Sequence, residues 1–414
     1  MGKRVVVTGL GVVTPVGNDV PTMWEALLAG RSGADHITRF DVSNLDVRIA
    51  AEVKGFDPEA LFGRRVARRN DRFALFALEA ARQAIADAGL AVDNELGKSA
   101  GVIIGTSMGG MATLLKNYDV FHTSGPRRVS PFMAPMMMPN AASGAIAIAH
   151  GLRGVNLCVA SACATGSHAV GEAAEVIRRG DAAVMLCGGS DAPLDPLSLA
   201  SLGNMRALST RNDEPTRASR PFDAQRDGFV IGEGAGVIVL EGLEHAQRRG
   251  ARIYAELAGY GASADAFHIT APDEQGAGAV EAMRAALEDA GLRAESVDYI
   301  NAHGTGTLLN DPVETQAIRT LFGSHADRLA VSSTKSMVGH LFGAAGAVEA
   351  VVCVKSLETG WVHPTINYEY PDPACDLDYV PNTARCLEPK VVLSNSFGFG
   401  GHNCCLVFRR WHDE

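Results

Sequence analysis

The chain has 414 residues, 47% apolar and 20% charged, with 45 glycines and a formal net charge of −10. That balance excludes a disordered chain, and the length leaves room for two to three units with large cores. No apolar run approaches the roughly 18 residues needed to cross a bilayer, and a net acidic chain is a poor nucleic-acid binder. The amino-terminal Lys3-Arg4 leads directly into Val5-Val6-Val7-Thr8-Gly9, which reads as a strand rather than a signal peptide. A soluble, cytoplasmic protein is expected. The eight cysteines are scattered, without CxxC or zinc-type His/Cys spacing, and most lie in apolar runs as small buried hydrophobes.

In chain order, Arg4–Thr8, Ala100–Ile104, Leu157–Ala160 and Ala183–Cys187 read as buried strands. Phe73–Ala88 and Ala164–Arg179 carry apolar residues at helical spacing, so the alternation implies α/β architecture. The second half repeats the first. Ala80–Leu90 resembles Ala282–Leu292, each a helix closed by glycine and each followed by a strand, at 101–105 and 297–302. Leu157–Ala162, Cys163 and the next helix match Ala330–Ser333, a turn, and a helix near 343–355. This order implies duplication, with halves at 1–250 and 251–414 fused into one body.

Cys163 stands in Val159-Ala160-Ser161-Ala162-Cys163-Ala164-Thr165-Gly166, where a strand feeds a small-residue turn and the helix is expected to begin at the cysteine. Free N–H groups and the positive end of the helix dipole favour a thiolate there. A buried cysteine closing a strand accounts for the motif equally well. His303, in Asn301-Ala302-His303-Gly304-Thr305-Gly306-Thr307, and His340, closing Ser333–His340, sit in similar turns beside Lys335. In a doubly wound sheet such ends converge on one crevice, where imidazole serves proton transfer or hydrogen bonding to an enolate. Neither spacing makes a metal site. The cluster Ser394–Gly401 is either a hairpin turn or a loop binding an oxyanion, while Gly9–Gly11 and Gly232–Gly236 read as strand ends, not phosphate loops.

Together these motifs resemble the β-ketoacyl-acyl-carrier-protein synthases, in particular the elongating enzymes of bacterial type II fatty-acid synthesis. The likeness runs through Val5–Gly11, Ala160–Gly166, Ala207–Asn212, Arg220–Gly236, His303–Thr307, Ser332–Gly346 and Asn395–Asn403. It implies the thiolase fold, a duplicated five-layered α-β-α-β-α body, and a homodimer. It implies that Cys163 accepts an acyl chain, that His303 and His340 promote decarboxylation of malonyl carrier protein, and that the N–H groups of Cys163 and Phe399 form an oxyanion hole. Lys335 would orient the site with Glu349 as partner, although a structural ion pair explains both charges as well. Thr305 and Thr307 would bind the phosphopantetheine arm of acyl carrier protein, without metal or other cofactor. Met108, Leu202, Phe342 and Phe397 would line the acyl site, with Met108, Leu202 and Phe342 departing from the usual pattern in bulk.

The same resemblance implies that Arg65, Arg68, Arg69, Arg127, Arg128 and Arg206 dock the acidic carrier. The run Arg64–Arg69 would place several of these cations on adjoining helical faces. Rival assignments are a ketosynthase α subunit of an aromatic polyketide system, a non-catalytic chain-length factor and a thiolase. His-Gly-Thr-Gly-Thr followed by Asn310-Asp311 leans towards the first, while Cys163 and His340 argue against the other two. Asp311 and Glu314 are expected to stabilise their loop rather than react.

Overall fold

The computed structural model describes residues 3–412. Ten strands carry the fold: β1 (Val5–Val13), β2 (Ala100–Gly105), β3 (Asn156–Leu157), β4 (Val184–Asp191) and β5 (Gly234–Gly242), then β6 (Ala255–Ala264), β7 (Tyr299–Asn301), β8 (Ala330–Ser332), β9 (Val391–Gly398) and β10 (His402–Arg410). They lie in the order β8-β7-β9-β10-β6-β1-β5-β4-β2-β3. Each set of five thus follows the same path, β3-β2-β4-β5-β1 in one and β8-β7-β9-β10-β6 in the other. In both, the first three are parallel and the last two join antiparallel. The sets meet only where Val6 pairs with Glu256 and Val7 with Ala255.

Five helices make the layers: α1 (Arg72–Asp87), α2 (Thr165–Arg179), α3 (Ala277–Ala290), α4 (Asn310–Phe322) and α5 (Ala345–Thr359). The period of two along each strand sends alternate side chains to different cores. Ile103, Met185, Cys187, Ile238 and Leu240 face inward onto α2 and α5, together with Tyr299, Val392, Leu406 and Phe408 from the second set. Val102, Ile104, Leu186 and Val237 point outward onto α1, while Ile300, Leu393 and Val407 point onto α3 and α4. The order is helix, sheet, paired helices, sheet, helix.

The repeated Ala-rich helices have a shared physical reason. Gly9 and Gly11 lie inside β1, not at its end, and a Cβ on them would sit 2.2 and 1.9 Å from the carbonyl oxygens of Ala84 and Ala80. Gly259 and Gly261 of β6 stand in the same way under Ala286 and Ala282 of α3. Helix backbone rests directly on strand backbone at both places, so small residues are required on each side. The strand expected at 157–160 shrinks to Asn156–Leu157, because it forms the sheet edge and only β2 pairs with it. The helix of Pro58–Ala67 is broken at Gly63 (φ 77°), so Arg64–Arg69 form a short turn rather than one extended helical face.

Candidate active site

Between β3 and α2 a single 3-10 turn, Ala162–Ala164, is inserted, so the α-helix begins two residues after Cys163. Ala162 opens this turn at φ +51°, a conformation costly for a side chain. Thr165 Oγ1 accepts the Ser161 N–H at 2.8 Å and Ser161 O accepts the Ala164 N–H at 3.1 Å, which hold the turn closed. Cys163 is buried, and β9 ends directly above it: a Cβ on Gly398 would lie 3.1 Å from the Cys163 nitrogen. Burial pushes the Cys163 thiol up to about 11, although the Lys335 charge and the N–H groups of Phe399 and of Cys163 itself pull the other way. The expected thiolate is therefore a thiol at neutral pH, because desolvation outweighs the helix terminus.

His303 follows β7 in a loop that buried carboxylates pin at the amides of His303, Gly304 and Gly306. Glu314 accepts the N–H groups of His303 and Gly304, both at 2.8 Å, and Asp311 accepts those of Phe222 and Gly306. Both carboxylates come from the start of α4, and Arg226 donates to the Thr307 carbonyl at 3.0 Å. Thr305 and Thr307 are thereby held with their hydroxyls 3.0 Å apart. His340 is fixed from its own backbone, which pairs with Val230 and Gly232 on both sides. The Phe342 N–H donates to its Nδ1 at 3.2 Å, and the Phe342 ring stacks on the imidazole at 4.9 Å.

Cys163, His303 and His340 bring their Sγ and ring nitrogens within 4.8 Å of one another, a grouping that spacing along the chain had not suggested as a metal site. Three such donors fit a metal by type, but the His340 Nδ1 lone pair is already taken by Phe342. Its Nε2 is then an N–H, a hydrogen-bond donor rather than a ligand, and it is buried without a partner. Burial holds both imidazoles well below the usual histidine range, with the Lys335 charge adding to the effect. The site presents two neutral imidazoles beside a thiol.

Lys335 lies at the head of a short helix, Lys335–Val338, and pairs with Glu349 of α5; both are buried. Burial raises the Glu349 carboxyl against the pull of Lys335. Behind them His363 accepts from Thr334 Oγ1 at 2.9 Å and donates through Nδ1 to the Pro364 carbonyl. Burial lowers it to about 4. Its neutral form is the folded one, so this group costs stability as pH falls from about 6.5 towards about 4, at about 1.4 kcal/mol per pH unit. Denaturant melts of wild type and His363→Gln should therefore show the variant gaining about 3 kcal/mol relative to wild type across that window. A pH-independent gap would show that His363 is not buried neutral.

A cavity of about 340 Å³ leads from the surface to this group. Cys163, His303, His340, Phe342, Phe397 and Phe399 lie at its inner end, with Thr305, Thr307 and Arg206 among its walls. Met108 and Leu202 do not border it; Leu202 is buried in the apolar cluster behind Phe342 and Phe229. Arg65, Arg68, Arg69, Arg127, Arg128 and Arg206 are exposed, and among the described residues none forms an ion pair. Arg69 covers the Phe132 ring at 4.8 Å. Two buried residues went unread in the sequence, Arg226 and Asp191. Asp191 finds its partners 83 or more positions away, and Arg226 reaches Thr307 and Asp372 at 81 and 146 positions, so no local pattern marks these contacts.

Comparison with known proteins agrees with this geometry. Residues 2–246 match the β-ketoacyl synthase N-terminal domain and residues 254–369 its C-terminal domain. The chain is 52% identical over 411 residues to the 3-oxoacyl-[acyl-carrier-protein] synthase 2 of Coxiella burnetii, covering 99% of each chain. It is 49% identical over 409 residues to that of Staphylococcus aureus strain N315, again covering 99% of each. Among solved structures, a β-ketoacyl synthase from Burkholderia phymatum STM815 superposes with a TM-score of 0.92 at 40% identity, covering 99% of this chain and 100% of that one. A type II polyketide ketosynthase, solved with its acyl-carrier protein and a bound hexaketide, superposes with the same score at 36% identity, covering 100% of each. With both domain families matched in order and relatives alike over nearly its whole length, the chain belongs to the β-ketoacyl synthase family.

Proposed function

We propose that this protein elongates acyl chains by decarboxylative condensation, joining an acyl group held on Cys163 to malonyl-acyl-carrier-protein to give β-ketoacyl-acyl-carrier-protein and CO2. One observation carries the reading: a buried thiol lies within 4.8 Å of two neutral imidazoles at the foot of a cavity. In the first step Cys163 Sγ attacks the incoming thioester, its proton leaves to the neutral His303, and the arm thiol departs with a proton. The N–H groups of Cys163 and Phe399 receive the developing oxyanion. Malonyl thioester then enters, and its carboxylate leaves as CO2. The enolate oxygen accepts hydrogen bonds from the imidazoles, His340 donating through Nε2. The carbanion attacks the Cys163 thioester, the new C–C bond forms as the acyl C–S bond breaks, and the released sulfur takes a proton from solvent to restore the thiol. Neutral donors suit this role, because an imidazolium would hold the malonyl carboxylate that must leave.

The halves 1–250 and 251–414 would supply the nucleophile and the two histidines respectively. Thr305 and Thr307 would hold the phosphopantetheine arm, with no metal or other cofactor, and Phe342 and Phe397 would shape the acyl site. Two partners complete the reading. The exposed edge strand β3, with Ile148 exposed eight residues before it, supports a homodimer. The unpaired cations Arg65, Arg68, Arg69, Arg127, Arg128 and Arg206 support docking of an acidic carrier protein in the cytoplasm. Among the described residues no helix is long and apolar enough to cross a membrane.

Purified protein with malonyl carrier protein and an acyl-carrier series, read by mass, tests the reaction. Condensation by this chain alone is expected; an absolute need for a second, different subunit would favour the polyketide assignment. Arg65→Glu/Arg68→Glu should raise KM for carrier-bound acyl groups about tenfold at low salt and leave turnover of a carrier-free acyl-pantetheine unchanged. Equal KM for both forms would remove these arginines from the docking face.

A further inference from the structure

Asp191 ends β4 with its side chain fully buried, behind the site rather than in it. Five donors converge on its two oxygens. They are Thr106 Oγ1 and Ser107 Oγ, each at 2.6 Å, and the N–H groups of Ser107, Met108 and Gly343 at 2.9, 3.1 and 2.7 Å. Three of these are amides that can only donate, so the pocket is shaped for an acceptor on both oxygens. Burial raises the carboxyl, and the donors oppose it.

The duplication explains where this carboxylate sits. Gly343 is the middle residue of the 3-10 turn Phe342–Ala344, which opens at φ +51° and leads into α5, as Ala162–Ala164 leads into α2. Gly343 is therefore the counterpart of Cys163. The Cys163 turn keeps its N–H for a reacting group, whereas the N–H of its twin is occupied by Asp191. A Cβ at position 343 would lie 2.6 Å from Asp191 Oδ2 and 2.7 Å from the Ser107 nitrogen, so the twin turn has no room for a side chain there.

We propose that Asp191 is a positioning residue that sets acyl-chain selectivity by clamping the Thr106–Met108 segment to the Phe342–Ala344 turn. The inference rests on the reading of Cys163 as the acyl acceptor. Phe342 forms the cavity wall, stacks on His340 and holds Nδ1 through its N–H, while Leu202 packs behind it in the same cluster. The clamp ties that wall to the backbone of Ser107 and Met108 through one carboxylate. Releasing it lets the turn and the segment separate, opening a path for longer chains and tilting the His340 ring together with Phe342.

The test uses full-length protein and an acyl-carrier series of short, medium and long chains. Asp191→Asn keeps the size but sets an amide NH2 against N–H donors. Its ratio of kcat/KM for long over short chains should rise at least about tenfold above wild type. A role confined to stability lowers every chain length by one factor, and an unchanged ratio overturns the proposal. Should that variant fail to fold, Ser107→Ala removes one donor only, and its long-over-short ratio must rise above wild type or the proposal falls. Wild type assayed alongside separates the two failures. If it makes no β-ketoacyl product, the condensation reading itself is lost; if it does and the variants keep its ratio, only the role of Asp191 is.

Discussion

With Cys163 replaced by alanine, condensation should fall at least about 10⁴-fold, to background, while malonyl thioester is still decarboxylated. The separation follows from the geometry. Bond formation needs an acyl group on the sulfur, whereas loss of CO2 needs only the two neutral imidazoles, which this substitution leaves in place. Cys163→Ser should fare little better. An alcohol is harder to deprotonate than a thiol, and even the thiol is pushed up to about 11 in this buried turn. Mass analysis of products with parallel CO2 release checks both halves of the expectation. A variant lacking Cys163 that still makes β-ketoacyl product would sink the mechanism.

Replacing Lys335 by methionine should destabilise the protein by about 3–5 kcal/mol, since Glu349 is left buried without its cation. The double variant Lys335→Met/Glu349→Met should regain most of that loss, because an apolar pair of similar volume needs no counter-charge. Reactivity should not follow stability. The Lys335 charge lowers the Cys163 thiol, so alkylation by iodoacetamide at a fixed pH should be about tenfold slower in the single and the double variant alike. Recovery of the alkylation rate in the double variant would reduce Lys335 to a structural ion pair. Chemical melts and labelling on the same samples distinguish the two roles.

Much of this was legible in the chain itself, and for identifiable reasons. The matching runs at Ala80–Leu90 and Ala282–Leu292 disclose the duplication because both helices meet glycine-bearing strands at backbone contact, which restricts composition on the helix. The turns of Cys163 and His303 stand out because small residues surround each, and that of His340 because Gly339 precedes it and a Gly/Ala run follows from Gly343. What stayed hidden depends on distance along the chain or on a balance of energies. Asp191 binds partners 83 and 152 positions away. The protonation state of Cys163 turns on depth of burial, which neighbouring letters do not encode. Nor do they show that Leu202 packs behind Phe342 rather than facing the cavity.

The inner core draws its side chains from both sets of strands, and its two helices, α2 and α5, come one from each. Synthesis from the amino terminus therefore completes one half while its inward face still lacks α5 and the opposing sheet. Ile238 and Leu240, on the strand that packs against α5, then remain uncovered by it until roughly another hundred residues have left the ribosome, at about 5–20 residues per second. The nascent half should lean on chaperones during that interval. A chain severed between Gly242 and Ala255 should yield fragments that aggregate alone and recover activity only when produced together.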